Sequence, residues 1–230
     1  MIDIGIIGAM DPEVEGLVAR LSERRDESCG SILFHIGKIG EKQVVIARCG
    51  VGKVFAAMCC EAMIIKYSPR LIVNTGVAGA LNHSLRPTDI VIGERVFQHD
   101  MDTSAFGDPR GLISGINKIH FESCPRALEI LKGTVDELSL TAIFGDIATG
   151  DQVIASNDKR RAITDVFGGD ACEMEGGAIA QTAFANGVPF VVVRAISDSA
   201  DGEASLDYPK FLKIAAENSL KIVLELIKKY

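Results

Sequence analysis

Two short segments carry acids where chemistry could be done. Ala171-Cys172-Glu173-Met174-Glu175-Gly176-Gly177 puts Glu175 just where a helix should begin, and Val191-Val192-Val193-Arg194-Ala195-Ile196-Ser197-Asp198 puts Asp198 just where an apolar strand should end. In open parallel sheets, ligands bind outside the carboxyl ends of the strands. Two carboxylates brought to such an edge can bind a sugar and move a proton. Each acid also has an ordinary structural reading. Asp198 could cap the following turn through Ser199 and Ala200, Glu175 could simply open a helix, and Glu13 could be a first-turn glutamate favoured by the helix dipole.

Other chemical motifs fail on spacing. Gly50-Val51-Gly52-Lys53 has the composition of a phosphate loop, but the Walker spacing needs glycine at 47 and a hydroxyl at 54, where the chain has Ala47 and Val54. The same segment misses GxGxxG at Phe55, and the first turn offers only Gly5 and Gly8, which argues against a nicotinamide enzyme. His35, His83, His99 and His120 form no HExxH pattern and no close pair, and Asp100 and Asp102 beside His99 read as solvated loop acids. The six cysteines form no CxxC pair, and the adjacent Cys59 and Cys60 read as reduced core residues of a helix. No metal and no cofactor are expected.

These acids need a sheet to present them. Strand-like runs at 2–7, 32–36, 44–47, 71–74, 90–97 and 142–148 are interspersed with helix-like runs at 12–21, 53–66, 126–137 and from about Asn157, and a long amphipathic helix at about 208–229 closes the chain. The runs 32–36 and 44–47 look like a pair joined through Gly37-Lys38-Ile39-Gly40, and 71–74 runs into Thr75-Gly76-Val77-Ala78-Gly79. Residues 98–125 are rich in turn formers and read as one long loop, a kind that is often functional inside a compact domain. The alternation predicts an α/β fold of three layers, α/β/α, with a central, mostly parallel, mixed and twisted sheet flanked by helices. With no repeat, low-complexity tract or linker, one domain over 1–230 is expected.

Composition bounds the partners. The 47% hydrophobic content supports a full core, and the formal net charge of -7 without a basic block argues against nucleic acid. The start, MIDIGIIGAMDPEVEGL, lacks the basic lead of a signal peptide. No apolar run approaches the ~20 residues needed to span a bilayer. A cytosolic protein without a membrane partner is the expectation.

Seven pieces recur in a meaningful order: Gly5-Ile6-Ile7-Gly8-Ala9-Met10 followed by Glu13; Gly50-Val51-Gly52-Lys53; Asn74-Thr75-Gly76-Val77-Ala78-Gly79; Thr103-Ser104-Ala105-Phe106-Gly107; Gly150-Asp151; Glu173-Met174-Glu175; and Arg194-Ala195-Ile196-Ser197-Asp198. Together they resemble the nucleoside phosphorylase and nucleosidase superfamily and, within it, the 5'-methylthioadenosine/S-adenosylhomocysteine nucleosidase family, over essentially the whole chain. The resemblance implies a nucleoside phosphorylase-like fold. It also implies hydrolysis of the bond between adenine and a 5'-thio-substituted ribose, with no cofactor.

Breaking that bond leaves positive charge on the sugar and negative charge on the departing base. Protonating adenine at N7 relieves the second, and the resemblance gives this task to Asp198. A free aspartate titrates near ~3.9, so holding it protonated at neutral pH requires about 4 kcal/mol, part of which burial at a strand end can supply. By the same resemblance Glu13 is the base that activates water, Arg194 helps to hold that water or the base, and Glu175 grips the ribose 2'- and 3'-hydroxyls. Met174 packs under the ribose, Val153 and Ile154 border the adenine, and Val51 and Tyr208 line the thio-sugar pocket. Phe106 reaches across a homodimer interface, where the 98–125 loop completes the neighbour's pocket. Val77, Ala78, Gly79, Glu173 and Ser197 complete the substrate-binding set.

Two positions depart from the family pattern. Val153 stands where an aromatic ring is common, a stacking partner worth roughly 0.5–1.5 kcal/mol, and Phe190 and Tyr208 are candidates to replace it. Val77 stands where relatives carry Ser or Thr, removing a hydroxyl that could steady Glu175 and that phosphorylases use to hold phosphate. The Gly-Asp-Pro-x-Arg phosphate element is missing from the first turn, while Gly107-Asp108-Pro109-Arg110 lies at the wrong place in chain order. Water is therefore the expected nucleophile. A purine nucleoside phosphorylase, a hydrolase of another 6-amino nucleoside such as aminodeoxyfutalosine, and a nucleoside-binding protein without turnover are the alternatives.

Overall fold

Runs of β-branched residues broken by glycine and amphipathic stretches fold, in chain order, into β1 (Ile4–Gly8), α1 (Asp11–Val18), β2 (Ser22–Cys29), β3 (Ile32–Ile39), β4 (Lys42–Arg48), α2 (Lys53–Tyr67), β5 (Leu71–Ala80), β6 (Ile90–Gln98), β7 (His120–Glu122), α3 (Pro125–Leu138), β8 (Ala142–Thr149), α4 (Asn157–Phe167), β9 (Ala171–Glu173), α5 (Gly176–Ala185), β10 (Phe190–Asp198) and α6 (Ala204–Lys229). This is a computed structural model, and it describes the backbone of residues 1–200 and 204–230 and the side chains of all of these except 204–207 and 209.

All described strands join one mixed sheet. Its interior ladder β4–β1–β5–β10 is parallel. Here β5 and β10 are buried at every residue, the two-faced burial that near-continuous apolar runs anticipate. A second parallel ladder, β6–β8–β9, joins the first through antiparallel pairs β10–β6 and β5–β9, so these strands close on themselves. Helices α2 and α5 pack on one face, with Cys60, Met63, Ile179 and Ala183. Helices α1, α3 and α6 cover the other, with Leu17, Leu131, Ile222 and Leu226. The expected three layers are present. Side chains alternate between them along β10, where Val191, Val193 and Ala195 face one helix layer and Val192 and Ile196 the other.

Several boundaries differ from the sequence reading. Strand β3 runs on through Gly37 to Ile39, and its pairing with β4 leaves only Gly40-Glu41 as the turn, with Gly40 at φ +59°. Strand β2 has no counterpart in the reading, because Ser-Glu-Arg-Arg-Asp-Glu-Ser-Cys offers no apolar alternation. It lies at the sheet's edge, exposed along most of its length, where charge discourages pairing with other chains. Strand β5 continues through the glycine-rich segment to Ala80. The 98–125 loop returns to the sheet as β7, where Phe121 pairs with Val96 of β6. Helix α6 begins at Ala204, ahead of the expected start. Among the described residues no helix is long and apolar enough to cross a membrane.

Candidate active site

The carboxyl ends of β1, β5, β9 and β10 converge on a cavity of about 370 Å³. Parallel alignment brings the residues that follow β1, β5 and β10 to one edge, and β9, antiparallel to β5 through Gly79 and Cys172, brings Glu173–Glu175 to the same cavity from the second ladder.

Glu13 is the third residue of α1, and its Oε2 accepts the N–H groups of Ala9 (2.7 Å) and Met10 (2.9 Å) at the helix start. Its Oε1 accepts the Val77 N–H from β5 at 3.0 Å. The residue thus does what the structural reading asked of it and also faces the cavity. Burial pushes its carboxyl above the ordinary range, against the opposing pull of Arg194 and the three N–H groups.

Arg194 lies beneath the cavity, fully buried in β10. Its Nη2 pairs with Glu173, donates to Asn74 Oδ1 at 2.5 Å, and stands 3.7 Å from Glu175 Oε2. It passes so close under β5 that a Cβ at Gly76 would overlap both Arg194 Nη1 and Glu13 Oε1, so glycine is required there. Arg194 is a buried counter-ion for several acids and does not line the cavity. Glu173, also nearly sealed, accepts the N–H groups of Glu175 (3.0 Å) and Gly176 (2.6 Å) and the Thr149 hydroxyl. It therefore caps the start of α5.

Glu175 is the residue from which α5 starts, and its Oε1 accepts the Gly52 N–H at 2.8 Å. That backbone donor meets the need raised by Val77, so no neighbouring hydroxyl is required. Burial first, and then the negative charge of Glu173, push the Glu175 carboxyl up to about 7.

Asp198 ends β10. Its Oδ1 accepts the Ala200 N–H at 3.0 Å, the turn cap anticipated from sequence, and Ser197 Oγ lies 2.8 Å from Oδ2. Ser197 Oγ is also 3.3 Å from the Ala78 carbonyl. Its single proton can serve either acceptor.

Of the expected site residues, Glu13, Val51, Val77, Ala78, Gly79, Val153, Ile154, Glu173, Met174, Glu175, Ser197, Asp198 and Tyr208 line this one cavity. Phe106 does not. It is 88% exposed on the short 3₁₀ turn Ser104–Phe106. Phe190 cannot stand in for the missing aromatic ring, because it is buried at the opposite end of β10, eight residues or roughly 26 Å of strand from Asp198. Tyr208 does line the cavity, with its hydroxyl 3.2 Å from Met10 Sδ. Sequence reasoning missed Ala9, Met10, Gln152, Ala155 and Cys172 as lining residues, of which Met10 and Cys172 carry sulfur into the cavity wall. Both lie inside segments it singled out, and only the local path of the chain decides that they face inward.

The sequence profile of the phosphorylase superfamily matches residues 3–228. The 5'-methylthioadenosine/S-adenosylhomocysteine nucleosidase of Staphylococcus haemolyticus is 41% identical over 226 residues, covering 98% of this chain and 99% of that protein. The crystal structure of the Neisseria meningitidis 5'-methylthioadenosine/S-adenosylhomocysteine nucleosidase in complex with methylthio-immucillin-A is similar over 100% of both chains, with a TM-score of 0.97 and 34% identity. The native futalosine hydrolase of Helicobacter pylori is similar with a TM-score of 0.96 and 30% identity, over 100% of this chain and 98% of that one.

Proposed function

This chain belongs to the phosphorylase superfamily, among its 5'-methylthioadenosine/S-adenosylhomocysteine nucleosidases, and on that premise we propose how Glu13, Glu175 and Asp198 divide the reaction. The enzyme hydrolyses the N-glycosidic bond of 5'-methylthioadenosine and S-adenosylhomocysteine, releasing adenine and the 5'-thio-substituted ribose. The single observation that carries the division of labour is the convergence of these three carboxylates on one cavity from three separate strand ends.

Glu175 accepts the ribose hydroxyls, held in place by the Gly52 N–H. Asp198 gives a proton to N7 of the adenine. Ser197 makes that state tolerable: its hydroxyl can accept from a protonated Asp198 and turn its own proton to the Ala78 carbonyl, then turn back when Asp198 becomes anionic. Glu13 takes the proton of the attacking water. Three N–H groups fix its orientation, and a carboxylate has about four acceptor sites, which leaves one for the water. Met174, Val51 and Tyr208 enclose the thio-sugar, and Val153 and Ile154 border the base. Arg194 acts from below, keeping Glu173 and Glu175 in place without touching the water.

Water rather than phosphate suits this lining, which carries Glu13, Glu173, Glu175 and Asp198 and, among its described residues, no lysine or arginine to hold a phosphate dianion. The test is adenine release from both substrates in phosphate-free buffer. Strict dependence on phosphate would overturn the assignment in favour of phosphorolysis. The likeness to a futalosine hydrolase keeps one other 6-amino nucleoside, aminodeoxyfutalosine, as a substrate to compare, though the 41% identity to the nucleosidases favours the thio-nucleosides.

The proposal extends to one domain over 1–230, to a homodimer, and to work in a reducing cytosol, with which six unpaired cysteines agree. The dimer reading rests on α2, which follows the cavity-lining Val51 and whose Val54, Phe55 and Met58 are at least half exposed, and on Phe106. Sedimentation of Phe55→Glu tests it: the variant is expected to run as a monomer, and an unchanged dimer would exclude this face.

A further inference from the structure

Three loops meet behind Glu175 in a closed ring of hydrogen bonds. Gly52, which supplies the N–H to Glu175, precedes α2 at φ +101°, ψ 161°, a glycine conformation with no side chain to cap the helix. The cap comes from another loop: Asp151 Oδ1 accepts the Lys53 N–H at 2.8 Å. The Asp151 N–H in turn donates to Asp100 Oδ2 at 2.9 Å, and Asp100 Oδ1 accepts Lys53 Nζ at 2.6 Å. Lys53 Nζ also donates to Gln98 Oε1 at 3.1 Å, and Gln98 Nε2 to Gln181 Oε1 of α5 at 2.7 Å.

An exposed ion pair alone would contribute little. This one differs in two respects. Its side chains are only about one-fifth exposed, Lys53 20% and Asp100 22%, and both aspartates accept backbone N–H groups, which are charge-assisted bonds that fix main chain as well as side chain. The ring also joins loops with different tasks, because 50–53 holds Glu175 and the loop beginning at Asp151 carries Val153 and Ile154.

We propose that Lys53, Asp100 and Asp151 are positioning residues: they hold the Gly52 N–H on Glu175, and so set the grip on the ribose hydroxyls in register with the loop that borders the base. This rests on the assignment of Glu175 to the ribose. None of the three touches the reacting atoms. Their effect passes through Glu175, whose other charged neighbours are Glu173, Arg194 and Glu13.

The experiment compares kcat/KM for methylthioadenosine with that for its 2'-deoxy analogue, which lacks a hydroxyl that Glu175 would hold. The wild-type enzyme should favour the full substrate strongly. Asp151→Ala and Lys53→Met should each shrink that preference by about tenfold, the usual effect of losing one hydrogen bond to a charged group, chiefly through KM. Asp151→Asn, whose amide oxygen still accepts the Lys53 N–H, should keep it within about threefold. A merely structural role would slow both substrates alike, so an unchanged preference in both Asp151→Ala and Lys53→Met overturns the proposal. A wild-type enzyme without the preference would refute the role of Glu175 itself, a failure visible before any variant is made.

Discussion

Replacing Glu175 by glutamine isolates the charge that this site keeps buried. In the fold, burial and the neighbouring Glu173 push the carboxyl from an ordinary 4.5 up to about 7. The folded value lies above the unfolded one, so between them the native state binds more protons than the unfolded chain. Stability therefore falls as pH rises through this window, and the full penalty is present above about pH 7. The gap of about 2.5 pH units, at about 1.4 kcal/mol each, amounts to about 3 kcal/mol. Glutamine cannot ionise, yet its carbonyl oxygen can still accept the Gly52 N–H, and Arg194 keeps Glu173 and Asn74 as partners. Urea unfolding of ligand-free protein at about pH 5 and about pH 8.5 is the assay, and the wild type should lose about 2–3 kcal/mol more than Glu175→Gln between them. The same variant should bind substrate more weakly, because an amide grips two hydroxyls less well than a carboxylate. Parallel stability curves for the two proteins would refute the reasoning, since burial and Glu173 would then not be raising the Glu175 carboxyl.

Three further outcomes are expected. Asp198→Asn and Glu13→Gln should each lower turnover by about 10²–10⁴-fold with the fold retained by circular dichroism, as for loss of a general acid or base, and near-normal turnover in either would remove its assigned role. Arg194→Met leaves Glu173 and Glu175 buried without their cation and should destabilise by about 3–5 kcal/mol in urea unfolding; a near-neutral effect would mean that these acids are not held as anions. Val153→Phe restores an aromatic ring beside the base and should lower the inhibition constant of adenine by about 2- to 10-fold, whereas no change would place the base away from this position.

Much of this site is legible along the chain because chemistry and secondary structure use the same short-range code. A glutamate five residues past the strand-ending Gly8, an acid at the end of an apolar run and another at a helix start are all local patterns. The elements they sit on follow from periodicities of two and of 3.6 residues. Strand β2 was illegible for the same reason in reverse: polar on both faces, it carries no periodic signal, and only pairing with β3 makes it a strand.

By itself, then, the sequence determined the α/β layering and the strand ends, and its resemblance to a family marked Glu13, Glu175 and Asp198 among the acids found there. What it left to the tertiary structure is who holds whom. Two of the N–H groups that orient Glu13 are local, but the third comes from Val77, 64 residues on, and the one that orients Glu175 comes from Gly52, 123 residues back. Arg194 turned out to be a sealed counter-ion rather than a residue facing substrate, and Phe190 lies at the wrong end of its strand. These outcomes depend on strand order and register. Both are set by burial over the whole sheet, so no local window of residues contains them.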